Sequence, residues 1–412
     1  MERVVITGMG VISPIGNDIN TFWKHLINGK SGISSIDMFD TGCHKVKIAG
    51  SVRDFDAEKM VGKKEAQRLD RFTQFALAAA EQAWIDSGLE NGKIDHERLG
   101  VYVGSGIGGI DTLIKNVNAL NERGPRRVSP SLVPAIMSNA AAAHISIKWN
   151  AMGPSLSPVS ACAIGNTAIG EAYRLIKWGE ADAVFAGGAE AGITELSLAS
   201  FGNATALSTR NDSPEAASRP FDKDRDGFVM SEGAGIMILE SLTHALKRKA
   251  NIYAEIVGYG ASSDAYHIVA THPEGRGAYL AMKKAIENAE ITPNQIDVIS
   301  AHATSTLVGD QSETRAIEQL FEAYAYNVPI TANKSMIGHM LGAAGGVEAI
   351  ALAKMLQEGL IPPTINLDHA DEACNLDYVP LIARSKNMEF GLSNSFGFGG
   401  HNAAIVLKKF TD

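Results

Sequence analysis

Residues 162–179 read CAIGNTAIGEAYRLIKWG, and residues 342–359 read GAAGGVEAIALAKMLQEG. Both open on small residues with a Gly in the first turn. Both then place a basic residue (Arg174, Lys354), an apolar pair and a closing Gly (Gly179, Gly359). Each follows a strand-like run, PSLSPVS at 154–160 and VPITAN at 328–333. Working outward, VITGMGVIS at 5–13 and EIVGYGASS at 255–263 share I-x-G-x-G-x-x-S, starting at Ile6 and Ile256. The stretches 72–104 and 276–303 both run from a helical pattern into a strand. The offsets between partners, 250, about 200 and 180, fall in order. A falling offset is what a duplication leaves when the first copy carries more insertions. The chain is therefore expected to consist of two related halves, 1–250 and 251–412.

Short β-rich runs alternate with Ala-rich helical stretches. Val4–Thr7, Val101–Val103, Ala183–Ala186, Ile236–Glu240, Ala254–Val257, Asp297–Ser300 and Ala403–Leu407 read as strands, and Phe72–Ser87 reads as a helix. This alternation predicts an α/β fold. The 412 residues are 45 % hydrophobic and 20 % charged, an ordinary globular balance. Three cysteines, Cys43, Cys162 and Cys374, make neither a disulfide framework nor a zinc pattern. A net charge of −9 argues against a nucleic-acid partner. The opening MERVVITGMGVISPIG is not a secretory signal, and no apolar run is long enough to span a membrane. These features predict a cytoplasmic protein.

Two motifs are decoys. GMGVIS at 8–13 and GSGIGG at 104–109 imitate a dinucleotide fingerprint, but no acidic residue closes a second strand after either. DKDRDGFVMSE at 222–232 imitates a calcium loop, yet its twelfth position is Gly233 and its flanks are not helical.

Cys162 has a different character. It opens a helix after the strand that ends at Ser160. A Cys there faces free backbone N–H groups and the positive end of the helix dipole, which favour the thiolate. A second cluster surrounds it if the halves are related by a pseudo-twofold axis. IDVISAHATSTLVGD at 296–310 places His302 after a strand, and NKSMIGHMLGAAGG at 333–346 places Lys334 and His339 between strand and helix. The two helix starts would then converge, with Cys162 facing the Lys334/His339 loop. Two His and one Lys at such junctions point to a site. GLSNSFGFGGHN at 391–402 could add an oxyanion-binding N–H and an aromatic gate.

Together, VVITGMGVISPIG, SACAIG, ALSTRNDSPEAASRPFDKDRDGFVMSEGAG, HATSTLVGD, NKSMIGHMLGAAGG, PPTINLD and NSFGFGGHN resemble the β-ketoacyl-[acyl-carrier-protein] synthases of the thiolase-like superfamily. The likeness runs end to end and is strongest to the elongating type II enzymes of bacterial fatty-acid synthesis. Ala303 stands where many bacterial members have Gly, and His401 where Thr is common.

The resemblance implies a duplicated five-layer α-β-α-β-α fold and a homodimer. It implies decarboxylative condensation of an acyl chain with malonyl-[acyl-carrier-protein], without metal or redox cofactor. Cys162 would carry the acyl thioester, and His302 and His339 would promote decarboxylation. Lys334 would support them electrostatically, with Asp310 and Glu348 as its partners. The N–H groups of Cys162 and Phe398 would form the oxyanion hole, and Phe398 would gate the pocket. Thr304 and Thr306 would bind the phosphopantetheine arm, and Ile107 would line the acyl pocket. Lys63, Lys64, Arg68, Arg126 and Arg127 lie in regions that, in the family, flank the pantetheine tunnel. They would dock the acidic acyl carrier protein. A polyketide or specialised-lipid synthase would share this chemistry. A degradative thiolase would need a second catalytic Cys near the C-terminal Gly loop, where the chain has His401. A non-catalytic chain-length partner subunit would lack Cys162.

Overall fold

The computed structural model describes residues 1–89 and 94–411. Ten strands form a continuous sheet: β1 (Val4–Ile12), β2 (Leu99–Gly104), β3 (Ser155–Leu156), β4 (Ala183–Glu190), β5 (Gly233–Ser241), β6 (Ala254–Ser263), β7 (Val298–Ser300), β8 (Ile330–Thr331), β9 (Phe390–Gly397) and β10 (His401–Lys409). Their spatial order is β8-β7-β9-β10-β6-β1-β5-β4-β2-β3. Read outward from the central antiparallel β6–β1 pair, each side repeats the other five strands later. β4 lies parallel to β2 and antiparallel to β5, and β9 relates to β7 and β10 in the same way.

Among the described residues, seven helices have ten or more residues: α1 (Arg71–Ser87), α2 (Ile110–Arg123), α3 (Ala140–Trp149), α4 (Ile164–Lys177), α5 (Arg276–Asn288), α6 (Leu307–Phe321) and α7 (Ala344–Glu358). α1 and α3 cover the outer face of the first five strands, and α5 and α6 that of the second five. α4 and α7 touch strands of both halves and lie between them. The result is five layers, α-β-α-β-α.

Three apolar clusters fill the interfaces. Phe72, Phe75, Trp149 and Phe185 lie under the first outer layer, and Ala281, Ile286, Ile299, Ile317 and Phe321 under the second. Ile169, Ile176, Val347 and Leu352 fill the centre. The inner strands are apolar on both faces because they are covered on both sides, whereas the edge strand β3 is exposed. Small residues bring α4 and α7 together. A Cβ on Gly165 would sit 2.2 Å from the backbone N of Gly346, so no larger residue fits there. Asp70 caps α1 by accepting from Phe72 N, and Gly88 ends it with φ of 70°. The 222–226 segment is no ion loop: Asp222 is paired with Arg219 at 3.0 Å, and Asp226 accepts from Thr209 N.

Candidate active site

The starts of α4 and α7 meet at the centre of the molecule. A one-turn 3-10 segment precedes each helix, Ala161–Ala163 and Leu341–Ala343. Ala161 and Leu341 both adopt left-handed backbone, φ 50° and 49°. Such a conformation costs a non-Gly residue on the order of 1–3 kcal/mol. Its recurrence at equivalent positions marks a bend that both halves use.

Cys162 follows that bend and lies buried at the wall of a cavity of about 660 Å³. The backbone N–H groups of Phe398 and of Cys162 itself favour the thiolate slightly. Burial pushes the thiol up to about 12, Lys334 pulls it down, and Glu190 pushes it up again. The thiolate expected from the helix start is therefore not the resting form. Loss of water outweighs the helix start, so the free side chain is a neutral thiol near pH 7.

His302 and His339 line the same cavity, with ring centroids 5.4 Å apart and planes at 87°. Phe228 packs edge-on against His339, and Phe396 lies 5.6 Å from His302. Burial, then the Lys334 charge, holds both imidazoles well below the ordinary histidine value. Both are neutral at pH 7. Lys334 sits behind them, 2.5 Å from Glu348, and both side chains are almost fully buried. Burial pushes Glu348 up to about 7 despite this partner.

Asp310 is not a partner of Lys334. It accepts from Phe221 N at 2.9 Å and Ser305 N at 3.2 Å and pairs with Arg225 at 3.4 Å. Its role is to hold the loop of Thr304 and Thr306, whose hydroxyls lie 3.0 Å apart in the cavity wall. Glu313, one helical turn further along α6, takes the inner position. It accepts from His302 N at 3.0 Å, Ala303 N at 2.8 Å and Asn394 Nδ2 at 3.0 Å, and it feels the Lys334 charge. The clue in the sequence was spacing: Asp310, Glu313, Ile317 and Phe321 share the inward face of α6.

Thr304, Thr306, Val308 and Gly309 also line the cavity, and Ile107, Phe201 and Leu341 in its wall pack in one apolar cluster with Cys162. Phe398 is partly exposed and 6.3 Å from Phe201. The next residue, Gly399, has φ of 82° and donates its N–H to Ile268 O at 2.7 Å. Glu190, absent from the sequence reading, is a fully buried member of the wall.

Lys63, Lys64, Arg68, Arg126 and Arg127 are exposed, away from the cavity lining. Arg68 borders a surface groove of about 460 Å³ whose other wall includes Lys115, Ser129 and Ser131, close after Arg127 in the chain. Arg71, which follows the first cluster, turns inward instead and grips Glu232 at 2.8 Å.

The fold and the site together define a condensing enzyme of the thiolase-like type. The sequence matches the family description "Beta-ketoacyl synthase, N-terminal domain" over residues 1–245 and "Beta-ketoacyl synthase, C-terminal domain" over 253–368. The chain belongs to the β-ketoacyl synthase family. It is 47 % identical to "3-oxoacyl-[acyl-carrier-protein] synthase 2" of Synechocystis sp. over 99 % of this chain and 98 % of that one. The protein of the same name in Staphylococcus aureus (strain COL) is 48 % identical over 99 % of both. Among solved structures, a β-ketoacyl synthase from Burkholderia phymatum STM815 superposes over all of both chains, with TM-score 0.92 and 35 % identity. AntDE:AntF, a type II PKS acyl-carrier protein in complex with its ketosynthase, covers all of both chains at TM-score 0.93 and 34 % identity.

Proposed function

We propose that the chain is a 3-oxoacyl-[acyl-carrier-protein] synthase that elongates fatty acids, with Cys162 as nucleophile. The observation that carries this is one cavity that brings the Cys162 thiol together with the Phe398 turn and two neutral imidazoles. Identity is 47–48 % to synthase 2 relatives and 34 % to the solved ketosynthase of a type II PKS, which favours fatty-acid over polyketide extension.

In the first step the acyl thioester carbonyl takes the Cys162 and Phe398 N–H groups. Cys162 Sγ bonds to the carbonyl carbon, the carbon–sulfur bond to the carrier arm breaks, and the thiol proton passes to the departing pantetheine sulfur. A thioester stays activated for the next attack. In the second step malonyl-carrier protein loses CO₂, and its thioester becomes an enolate. His302 and His339, both neutral, donate N–H bonds to the oxygen where charge develops. In the third step the enolate carbon attacks the acyl-Cys162 carbonyl, the new C–C bond forms, and Cys162 leaves and regains a proton. Overall the acyl group takes the place of the lost carboxylate, and one proton taken up from solvent restores the Cys162 thiol. Every electron pair comes from the two thioesters and the carboxylate, so no cofactor is assigned.

Thr304 and Thr306 bind the pantetheine arm, Phe398 gates the acyl pocket, and Ile107 lines it. Lys334 and Glu348 hold the field around the imidazoles. The acyl carrier protein docks on Lys63, Lys64, Arg68, Arg126 and Arg127. The enzyme works as a cytoplasmic homodimer. Supporting this, the edge strand β3 is exposed, and Met152, Leu156 and Val159 around it face outward together with Leu113, Val117 and Val133. An open apolar edge of this kind invites a second copy.

Incubation with acyl-carrier protein should add one acyl group at Cys162, as read by mass spectrometry. Cys162→Ala should take none and should make no 3-oxoacyl product. Acylation at Cys43 or Cys374 would sink the assignment.

A further inference from the structure

Two equivalent helix starts face each other, and they are used differently. At α4 the residue after the bend is Cys162, whose N–H is left for the sulfur. At α7 it is Gly342, whose N–H donates to Oε2 of Glu190 at 3.0 Å. Glu190 ends β4 and is fully buried. Its Oε2 also accepts from Gly106 N at 2.9 Å, and its Oε1 accepts from Ser105 Oγ at 2.8 Å and Ile107 N at 3.1 Å. Among the described residues no cationic side chain pairs with it. Three backbone N–H groups and a hydroxyl do the work a salt bridge would do elsewhere.

The carboxylate thus ties two parts of the cavity wall that come from different halves. One is the loop carrying Ile107. The other is the Leu341–Gly342 turn, which begins two residues after His339. Both donors to Oε2 are glycines that leave room for it: a Cβ on Gly106 would stand 2.8 Å from Oε2, and one on Gly342 2.9 Å. The tips of the two apolar side chains converge near Gly192. A Cβ there would meet Ile107 Cδ1 at 3.3 Å and Leu341 Cδ1 at 3.5 Å.

We propose that Glu190 is a positioning residue for acyl-chain selection. By bridging the Ile107 loop to the Leu341–Gly342 turn, it sets the separation of the two side chains that bound the cavity beside Cys162. The inference rests on the reading of that region as the acyl pocket. Glu190→Gln keeps the volume but turns one oxygen into an NH₂ group that faces N–H donors. One side of the bridge must then open.

The test compares kcat/KM for short- and long-chain acyl-carrier proteins, alongside CO₂ release from malonyl-carrier protein by enzyme without an acyl group. Glu190→Gln should change the long-to-short ratio on the order of tenfold, the scale on which apolar pockets discriminate chain length. CO₂ release should stay within about twofold, because it does not use the acyl pocket. Gly192→Ala, which narrows the gap with Glu190 intact, should lower the rate for long chains selectively. Ser105→Ala, which removes one donor, should shift the ratio in the direction of Glu190→Gln but less, and it carries the test if Glu190→Gln does not fold. An unchanged ratio, or an equal loss for every chain length and for CO₂ release, overturns the proposal and leaves the condensing function standing. A wild-type enzyme that condenses no acyl-carrier protein at any length overturns both.

Discussion

Lys334 meets Glu348 at 2.5 Å with both side chains almost entirely out of water, whereas Lys63, Lys64, Arg68, Arg126 and Arg127 stand in solvent, with Arg68 on the wall of a groove and the others near it in the chain. Both regions concentrate positive charge, but the physics differs. In the interior the effective dielectric is low, each ion has lost its hydration, and each depends on one partner. On the groove every charge is hydrated, screened by salt and replaceable by its neighbour. The interior should respond to single substitutions with large, specific losses. The groove should respond only to several changes together, and in a salt-dependent way.

The sharpest way to break the comparison is the buried pair. Glu348→Gln strands Lys334, and Lys334→Met strands Glu348. Removing one partner of a buried pair typically costs about 3–5 kcal/mol. Each single variant should therefore unfold at clearly lower urea. The double variant Lys334→Met/Glu348→Leu should recover much of that stability, because no uncompensated charge remains. It should not recover condensation. Equal urea midpoints for the single variants and wild type would mean the pair is not held as the structure shows.

Next in size are the imidazoles. His302→Ala or His339→Ala should slow CO₂ release on the order of 10²–10³-fold, the usual loss when one oxyanion donor goes. Acylation of Cys162 should be affected much less. The pH profile sharpens this. Burial and the Lys334 charge depress both imidazoles below 6.5. The neutral, active form then persists as pH falls through 6.5, and the acidic limb of CO₂ release should lie below that value. A limb at or above 6.5 would show that the two rings are solvated in the working enzyme.

The duplication was legible because Gly and small residues recur where α4 and α7 must touch, and such packing leaves a mark in any sequence. Cys162, His302, Lys334 and His339 were legible because each stands at a strand-to-helix junction, where side chains can reach a cavity. Other features were not. The thiol's protonation depends on how much water the whole fold removes from Cys162, which no local pattern reports. Asp310 and Glu313 lie on the same helix face, and only the path of the 302–305 loop decides which one turns to the imidazoles. Glu190 had no signal at all. Its donors are backbone N–H groups from residues 105–107 and 342, so nothing in the side-chain sequence announces them. Strands β3 and β8 lie within the strand-like runs 154–160 and 328–333, but each is only two residues long, too short for alternation to set its ends.

The smallest expected effect belongs to the groove. Its two walls are tied together: Asp70 accepts from Thr112 N at 3.0 Å, and Asn116 Oδ1 accepts from Ser129 N at 2.8 Å. The short helix with Lys63 and Lys64 and the turn with Arg126 and Arg127 are therefore held in a fixed relation beside α1 and α2. A rigid acidic carrier could meet both at once. Each exposed ion pair contributes roughly 0.2–1 kcal/mol, so reversal of one residue should change little. Lys64→Glu with Arg127→Glu should raise KM for acyl-carrier protein several-fold and leave kcat nearly unchanged. Salt should reduce the difference from wild type, because the Debye length is about 10 Å at 0.1 M. A small pantetheine thioester has no acidic surface and should turn over at the wild-type rate. Lys283→Glu, an exposed change on α5 in the opposite outer layer, should leave KM where it was. If the double reversal slows the small thioester as much as the carrier-bound one, the damage lies in the cavity and the groove is not where the carrier docks. If Lys283→Glu raises KM equally, attraction is spread over the whole surface, and the contrast between a built interior and a local docking groove fails at its weaker end.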